Sequence, residues 1–126
     1  MLANSDIIAF IATADAARAK AFYRDALGLK FVEESPYALV FEANGLMLRI
    51  QKVAALRPAA HTALGWRVAD IDALADQLTG RGVRFERFAG MAQDPRGVWT
   101  TPDGARIAWF KDPDGNLLSL TQTAGT

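Results

Sequence analysis

Few side chains in this sequence have types suited to chemistry. His61 is the only histidine, and there is no cysteine among the 126 residues. Because histidine changes its charge near neutral pH, His61 is a candidate acid, base or hydrogen-bond partner. A solvent-exposed histidine at the start of its strand is the alternative, which stays open. The absence of cysteine excludes disulfide bonds, thiolate metal ligands and a cysteine nucleophile, so any chemistry depends on oxygen, nitrogen or water.

An acidic segment near the carboxyl end resembles part of a calcium-binding loop. Asp112, Asp114 and Asn116 alternate as the first ligands of such a loop do. Pro113 interrupts the segment, however, and Thr123 stands where a bidentate glutamate is required. We therefore interpret it as a turn between two strands. Nucleophile-elbow, P-loop and dinucleotide-binding motifs are absent as well, so nucleophilic and nucleotide chemistry have no support.

The composition is that of one globular domain with a real core. Hydrophobic residues make up 51% of the 126 residues, and fourteen basic residues balance fourteen acidic ones. A chain without net positive charge is poorly suited to nucleic acid or to an anionic membrane surface. No apolar run approaches the length of a membrane span, and no targeting segment is recognisable. We expect a single domain of residues 1–126, located in the cytoplasm.

The first half of the chain predicts one helix followed by a group of strands. Asp15 suits a helix N-cap, and Gly28 suits the left-handed position after the helix end. Apolar residues recur at helical spacing between them. The strands predicted for this half are Ile7–Thr13, Leu29–Glu34, Tyr37–Ala43 and Leu46–Lys52.

The second half repeats this pattern after an alanine-rich connector at residues 53–60. Asp70 repeats the N-cap role of Asp15, and Gly82 corresponds to Gly28 if one residue is skipped within the helix. The strands predicted here are Thr62–Val68, Val83–Phe88, Val98–Thr101, Arg106–Lys111 and Leu117–Thr121. Two β-α-β-β-β modules, at about 6–52 and 61–122, are therefore expected, and the fold class is α+β.

Three motifs resemble those of the vicinal oxygen chelate superfamily, which includes glyoxalase I, extradiol dioxygenases and the fosfomycin and bleomycin resistance proteins. Residues Asp15–Gly28 are similar to its D-x-x-x-A-x-x-F-Y-x-x-x-L-G signature, and Val68–Asp72 and Phe110–Leu118 agree with two further family stretches. The resemblance implies that the modules form a curled mixed sheet cup with the ligand inside. It also implies a homodimer.

In metal-dependent members of this family, histidine or glutamate occupies four positions of the cup. The resemblance places Ile8, Arg49, Ala63 and Ser119 at those positions. None of these is a good ligand for a divalent ion, which usually needs about three protein ligands, and a guanidinium would repel it. We therefore expect neither a metal nor any other cofactor.

The same register, together with the alternation of strand faces, predicts which residues line the cup. Arg49 is the expected polar anchor, with a surface ion pair to Glu42 or another acid as its alternative. Trp99 is a candidate pocket wall, whereas Trp66 and Trp109 are interpreted as core residues. The predicted ligand-binding residues are Phe10, Met47, Arg49, Gln51, His61, Ala63, Trp99 and Ser119.

Three functions are compatible with such a cup. The leading hypothesis is a metal-independent protein that binds a small, partly apolar organic compound able to carry a negative charge. The alternative is a metal-independent lyase or isomerase, in which Arg49 polarises an oxygen and His61 moves a proton. A metal-dependent glyoxalase or dioxygenase comes third. Binding and catalysis need the same cup, so the sequence does not separate them.

Overall fold

A computed structural model describes residues 1–125 as two compact units. The first unit is Met1–Arg57 and the second begins at Pro58, so the division falls inside the predicted connector. Each unit carries one four-stranded mixed sheet and one principal helix. The predicted α+β class and the β-α-β-β-β order of each module are confirmed. Among the described residues, no helix is long and apolar enough to cross a membrane.

The first unit pairs its first strand with its last. Its elements are a short 3₁₀ turn at Leu2–Asn4, β1 at Ile8–Thr13, helix α1 at Ala16–Ala21, β2 at Lys30–Glu34, β3 at Ala38–Ala43 and β4 at Leu46–Lys52. Strand β1 runs parallel to β4, and β3 lies antiparallel between β4 and β2, which gives the order β1-β4-β3-β2.

The helix of the first unit changes its winding halfway along. The Asp15 side chain caps its start by accepting a hydrogen bond from the Arg18 amide. After α1 the chain continues as a π-helical turn at Phe22–Ala26, in which the Leu27 amide donates to the Phe22 carbonyl, 3.0 Å away. A π turn holds one residue more than an α turn. The extra residue that separates the two sequence repeats is therefore accommodated here.

The second unit repeats this topology. The elements of the unit are β5 at Leu64–Arg67, α2 at Ile71–Gly80, β6 at Trp99–Thr100, β7 at Arg106–Lys111 and β8 at Leu117–Gln122. The strand order is β5-β8-β7-β6, in which β5 and β8 are parallel. The Asp70 side chain caps helix α2 by accepting a hydrogen bond from the Ala73 amide.

The strand predicted at Val83–Phe88 does not form. Phe85 makes only an isolated bridge with Phe110, and the Phe88 amide donates to the Gln93 side-chain oxygen at 2.8 Å. Because the Phe88 amide is hydrogen-bonded to the Gln93 side chain, it does not pair with the neighbouring strand, and strand pairing ends after the bridge at Phe85. The strand predicted at Thr62–Val68 is also shorter, because β5 begins at Leu64.

Each sheet buries the face that carries its helix. In the first unit, Tyr23 of the helix and Phe41 of β3 are fully buried. In the second unit, Phe110 is fully buried and stacks on Trp66, with Ile71 of α2 also in the core. Because side chains alternate along a strand, the remaining residues of each sheet point to its opposite face. That second face carries the predicted ligand-binding residues except His61 and Ala63, which precede the first strand of the second sheet.

Candidate functional site

The first sheet has an exposed face on which four predicted site residues lie together. Phe10 is opposite Arg49 in the β1–β4 register, and Met47 and Gln51 lie two residues to either side of Arg49 on the same face. Phe10 is 53% exposed and Met47 41% exposed. We call this set, with Ile8 opposite Met47, the open face of the first sheet. It offers large apolar side chains around a single guanidinium.

Arg49 is half-buried on the open face and lies between apolar cross-strand neighbours. Its register partners are Phe10 on β1 and Val40 on β3. Within residues 1–125, no hydrogen bond or ion pair engages the guanidinium, including one to Glu42. A half-buried charge without a partner gains from a charge-assisted hydrogen bond when an anion arrives. The residue therefore suits an anionic group on a ligand.

The second sheet carries three aromatic rings on the face away from α2. The rings of Trp99 and Trp109 lie 6.4 Å apart and tilted, and the Phe88 ring meets Trp109 edge-on at 5.5 Å. The Trp109 indole nitrogen donates to the Thr62 hydroxyl at 3.2 Å, which fixes the ring. We call Phe88, Trp99, Trp109 and Ser119 the aromatic face of the second sheet. Such a surface suits the flat side of a planar organic compound.

Trp109 and Phe88 are members of this face that sequence reasoning did not place there. Trp109 was expected in the core, but Ala108 and Phe110 on either side of it are the buried residues of β7. Alternation then requires Trp109 to point the other way. The register confirms this, because Trp109 lies opposite Ser119. The alternation of side chains along β7 was the signal that could have placed Trp109 on this face.

Ser119 is nearly buried beside a glycine that leaves room for its hydroxyl. Gly65 lies opposite Ser119 in the parallel β5–β8 pair. A Cβ atom at Gly65 would stand 2.6 Å from Ser119 Oγ, but 3.4 Å or more from other atoms of that residue. The hydroxyl alone therefore occupies the space that a larger residue 65 would need.

We expect Gly65→Ala to lower the free energy of unfolding by about 1 to 3 kcal/mol, because the new methyl group overpacks against Ser119 Oγ. In a Ser119→Ala background the same substitution should be neutral or stabilising, since alanine orders a strand better than glycine. Urea unfolding of the four proteins measures the coupling. Equal effects in both backgrounds would show that the hydroxyl does not fill this space.

The four residues that the resemblance assigns to the metal positions have side chains that do not suit a divalent ion. Ile8 is apolar and 45% exposed, Arg49 carries a positive charge, and Ala63 has no donor atom in its side chain. Ser119 contributes only a hydroxyl. Residues 1–125 contain no group of three or more His, Cys, Asp or Glu side chains that could hold a metal ion. Metal independence stays a prediction.

His61 lies outside the sheet that was expected to contain it. It is exposed in the segment before β5, and its imidazole contacts no described residue by hydrogen bond or ion pair. Ala63 is exposed in the same segment, where its amide donates to the Leu117 carbonyl. Arg49 belongs to the first unit and His61 to the second. A catalytic role for the two together stays a prediction.

An ion-pair network fastens α2 to β7 on the side opposite the aromatic face. Arg106 binds Asp72 through two nitrogens, at 2.9 and 3.0 Å, and approaches Asp94 at 3.4 Å. The Arg106 hydrogen bonds lower the pKa of Asp72. The Asp94 carboxylate also accepts from the Arg96 and Val98 amides, which holds the loop before β6. Trp99 is therefore presented by an anchored loop.

The fold and its two exposed faces define a class of protein built from paired β-α-β-β-β units. Within that class, the chain belongs to the Glyoxalase/Bleomycin resistance protein/Dioxygenase superfamily, whose model matches residues 6–120. This confirms the resemblance carried by the helix-one signature. No curated protein matches the sequence at a significant level.

Solved structures share this fold over nearly the whole chain. TnmS3, an antibiotic binding protein from Streptomyces sp. CB03234, is 26% identical with a TM-score of 0.76, covering 98% of this chain and 99% of that chain. Lactoylglutathione lyase from Agrobacterium tumefaciens is 18% identical with a TM-score of 0.75, covering 98% of each chain. A superfamily member from Sphaerobacter thermophilus DSM 20745 is 24% identical with a TM-score of 0.75, covering 98% of this chain and all of that one.

Proposed function

We propose that this protein binds a small, partly apolar organic compound with a planar ring, without a metal ion. The observation that carries the proposal is the aromatic face of the second sheet. Trp99 and Trp109 present tilted rings 6.4 Å apart, and Trp109 is held by its hydrogen bond to Thr62. Rigid indoles lose little entropy on binding a flat ligand, so they favour stacking.

The open face of the first sheet is proposed separately as a surface that binds an anionic group, because of Arg49. Its guanidinium lies half-buried among apolar side chains of the open face and has no acidic partner within the described residues. The similarity to TnmS3, described as an antibiotic binding protein, supports a binding role over a catalytic one. Metal-dependent glyoxalase or dioxygenase chemistry is not supported, because Ile8 and Ala63 supply no ligand atoms. The lyase or isomerase alternative has no observation that favours it.

A homodimer and a cytoplasmic location belong to the same proposal. Both are expected from the sequence and the family resemblance. Ile8 and Phe10 are large apolar residues that are 45% and 53% exposed in the single chain. Exposed apolar patches of this kind are often covered by another molecule, and symmetric pairs are the commonest assembly.

Native mass spectrometry of freshly purified protein tests the proposal directly. We expect a retained organic compound, released on denaturation, whose mass and fragmentation identify a planar ring, an acidic group or both. A stoichiometric divalent ion in elemental analysis, lost together with ligand binding on chelation, would contradict the metal-free mode. If nothing is retained, a panel of aromatic carboxylates can be titrated by following tryptophan fluorescence.

Replacing Trp109 by leucine should weaken binding of an aromatic carboxylate such as naphthoate by about two- to tenfold. Loss of one aromatic pairing corresponds to about 0.5 to 1.5 kcal/mol. Calorimetric titration measures the change. Tyr37→Leu is the matched control, because Tyr37 is an aromatic residue 77% exposed in the first unit, outside both faces. Equal affinities of the Trp109 variant and the wild type would remove the aromatic face from the site.

A further inference from the structure

The second unit contains a positively charged groove that is separate from both faces described above. It lies between the carboxyl-terminal half of α2, the segment that follows the helix, and the loop before β6, and its volume is about 500 Å³. Its lining includes Asp76, Arg84, Arg87 and Arg96. Since the chain as a whole has no net charge, three arginines around one groove are a local concentration of positive charge.

The acidic residues near this groove are already engaged. Asp76 forms two hydrogen bonds with Arg96, at 2.9 and 3.0 Å. Asp72 and Asp94 are both bound by Arg106. Each carboxylate thus has an arginine partner, and these pairs leave the other two guanidinium groups of the groove uncompensated.

The guanidinium groups of Arg87 and Arg84 differ in how firmly the surrounding residues hold them. Arg87 donates from one terminal nitrogen to the carbonyls of Gln93 and Asp94, at 3.2 and 2.9 Å, so backbone groups orient it without neutralising its charge. Arg84 is exposed and forms no hydrogen bond or ion pair with any residue in the described range. The Arg87 guanidinium is thus held in place, whereas the Arg84 guanidinium can move to bind an anion.

We propose that this groove binds the phosphate group of a small molecule. A phosphate carries close to two negative charges near neutral pH and offers several oxygens to the forked donors of arginine. Phe85 and Pro95 also line the groove and provide an apolar wall for the organic part of a phosphate monoester. This inference does not depend on the ligand proposed for the aromatic face.

Titration of the isotope-labelled full chain with inorganic phosphate tests the inference by nuclear magnetic resonance. Ionic strength is held low and constant with chloride, because exposed charges are screened by salt. We expect saturable shifts of the backbone amides of Arg84, Arg87 and Arg96, stronger at pH 8 than at pH 5.5, where phosphate is largely a monoanion. Glycerol phosphate should bind at least as tightly as phosphate. Shifts that do not saturate, or that spread over the whole surface, would overturn the proposal.

Arg84→Gln should weaken phosphate binding by about two- to fivefold, the effect of one exposed charge pair. Arg84→Lys keeps the charge and should recover most of the affinity. Arg18→Gln is the matched control, because Arg18 is an exposed arginine on α1 in the first unit and its loss changes the net charge equally. Equal weakening by Arg84→Gln and Arg18→Gln would show that only overall charge matters and would refute a site in the groove.

Discussion

Replacing Arg49 by methionine is expected to weaken binding of an aromatic carboxylate by about ten- to a hundredfold. The substitution keeps much of the apolar stem but removes one charge-assisted hydrogen bond, which corresponds to about 1.5 to 3 kcal/mol. The effect should be large because the guanidinium is half-buried between Phe10 and Val40 and has no acid beside it among the described residues. Calorimetric titration of wild type and variant with naphthoate measures it.

The neutral amide of the same ring system provides the control for charge. Naphthamide should lose much less affinity than naphthoate in Arg49→Met, because it gains little from the guanidinium. Arg18→Met serves as the matched variant, since Arg18 is an exposed arginine on helix α1 and lies outside both faces. If Arg49→Met bound naphthoate as tightly as the wild type, Arg49 would not contact the ligand.

Phe110→Ala should lower the free energy of unfolding of the second unit by about 3 to 5 kcal/mol, the usual cost of truncating a buried phenylalanine. Phe110 is fully buried, stacks on Trp66 with ring centroids 6.5 Å apart, and meets Phe85 edge-on at 5.6 Å. The Phe110 ring thus links β7, β5 and the segment after α2. Urea unfolding followed by circular dichroism measures the change.

Phe88→Ala is the matched control for this prediction. Phe88 belongs to the same unit but is 37% exposed, and its ring contacts that of Trp109. Its truncation should cost well under half as much as that of Phe110 and should act mainly on ligand binding. Similar stability losses for the two variants would contradict the assignment of Phe110 to the core and Phe88 to the aromatic face.

Features that depend only on neighbouring residues could be predicted from the sequence. Asp15 and Asp70 cap their helices as predicted, because an N-cap needs only a side-chain oxygen within a turn of the free amides. Gly28 and Gly82 have positive φ angles, as expected at these positions. Strands β4 and β7 begin and end at the residues predicted from the sequence. Together with the helix-one signature, these local signals were sufficient for the fold class and the family.

Features that depend on residues far apart in the chain could not be predicted before the fold was known. Val83–Phe88 has a strand-like composition, but the Gln93 side chain takes a backbone donor that a continued strand would need. Trp109 and Phe110 are both aromatic, and only pairing with β8 shows that Trp109 lies beside Ser119 while Phe110 is buried. Composition does not predict whether such a segment forms a strand or which face of the sheet a residue occupies. Both depend on which distant backbone comes within hydrogen-bonding distance.

The pairing of the charged residues also depends on contacts between distant parts of the chain. Arg49 and Arg84 lack partners among the described residues, whereas Arg96 and Arg106 bind aspartates 20 and 34 residues away. Nothing in the local sequence distinguishes the free arginines from the paired ones. An ion pair forms only where the fold brings a carboxylate within a few ångströms, since attraction between charges weakens with distance and with solvent. The sequence thus supplied the cations, and the packing of α2, β7 and the loop before β6 left Arg84 in its groove without a partner.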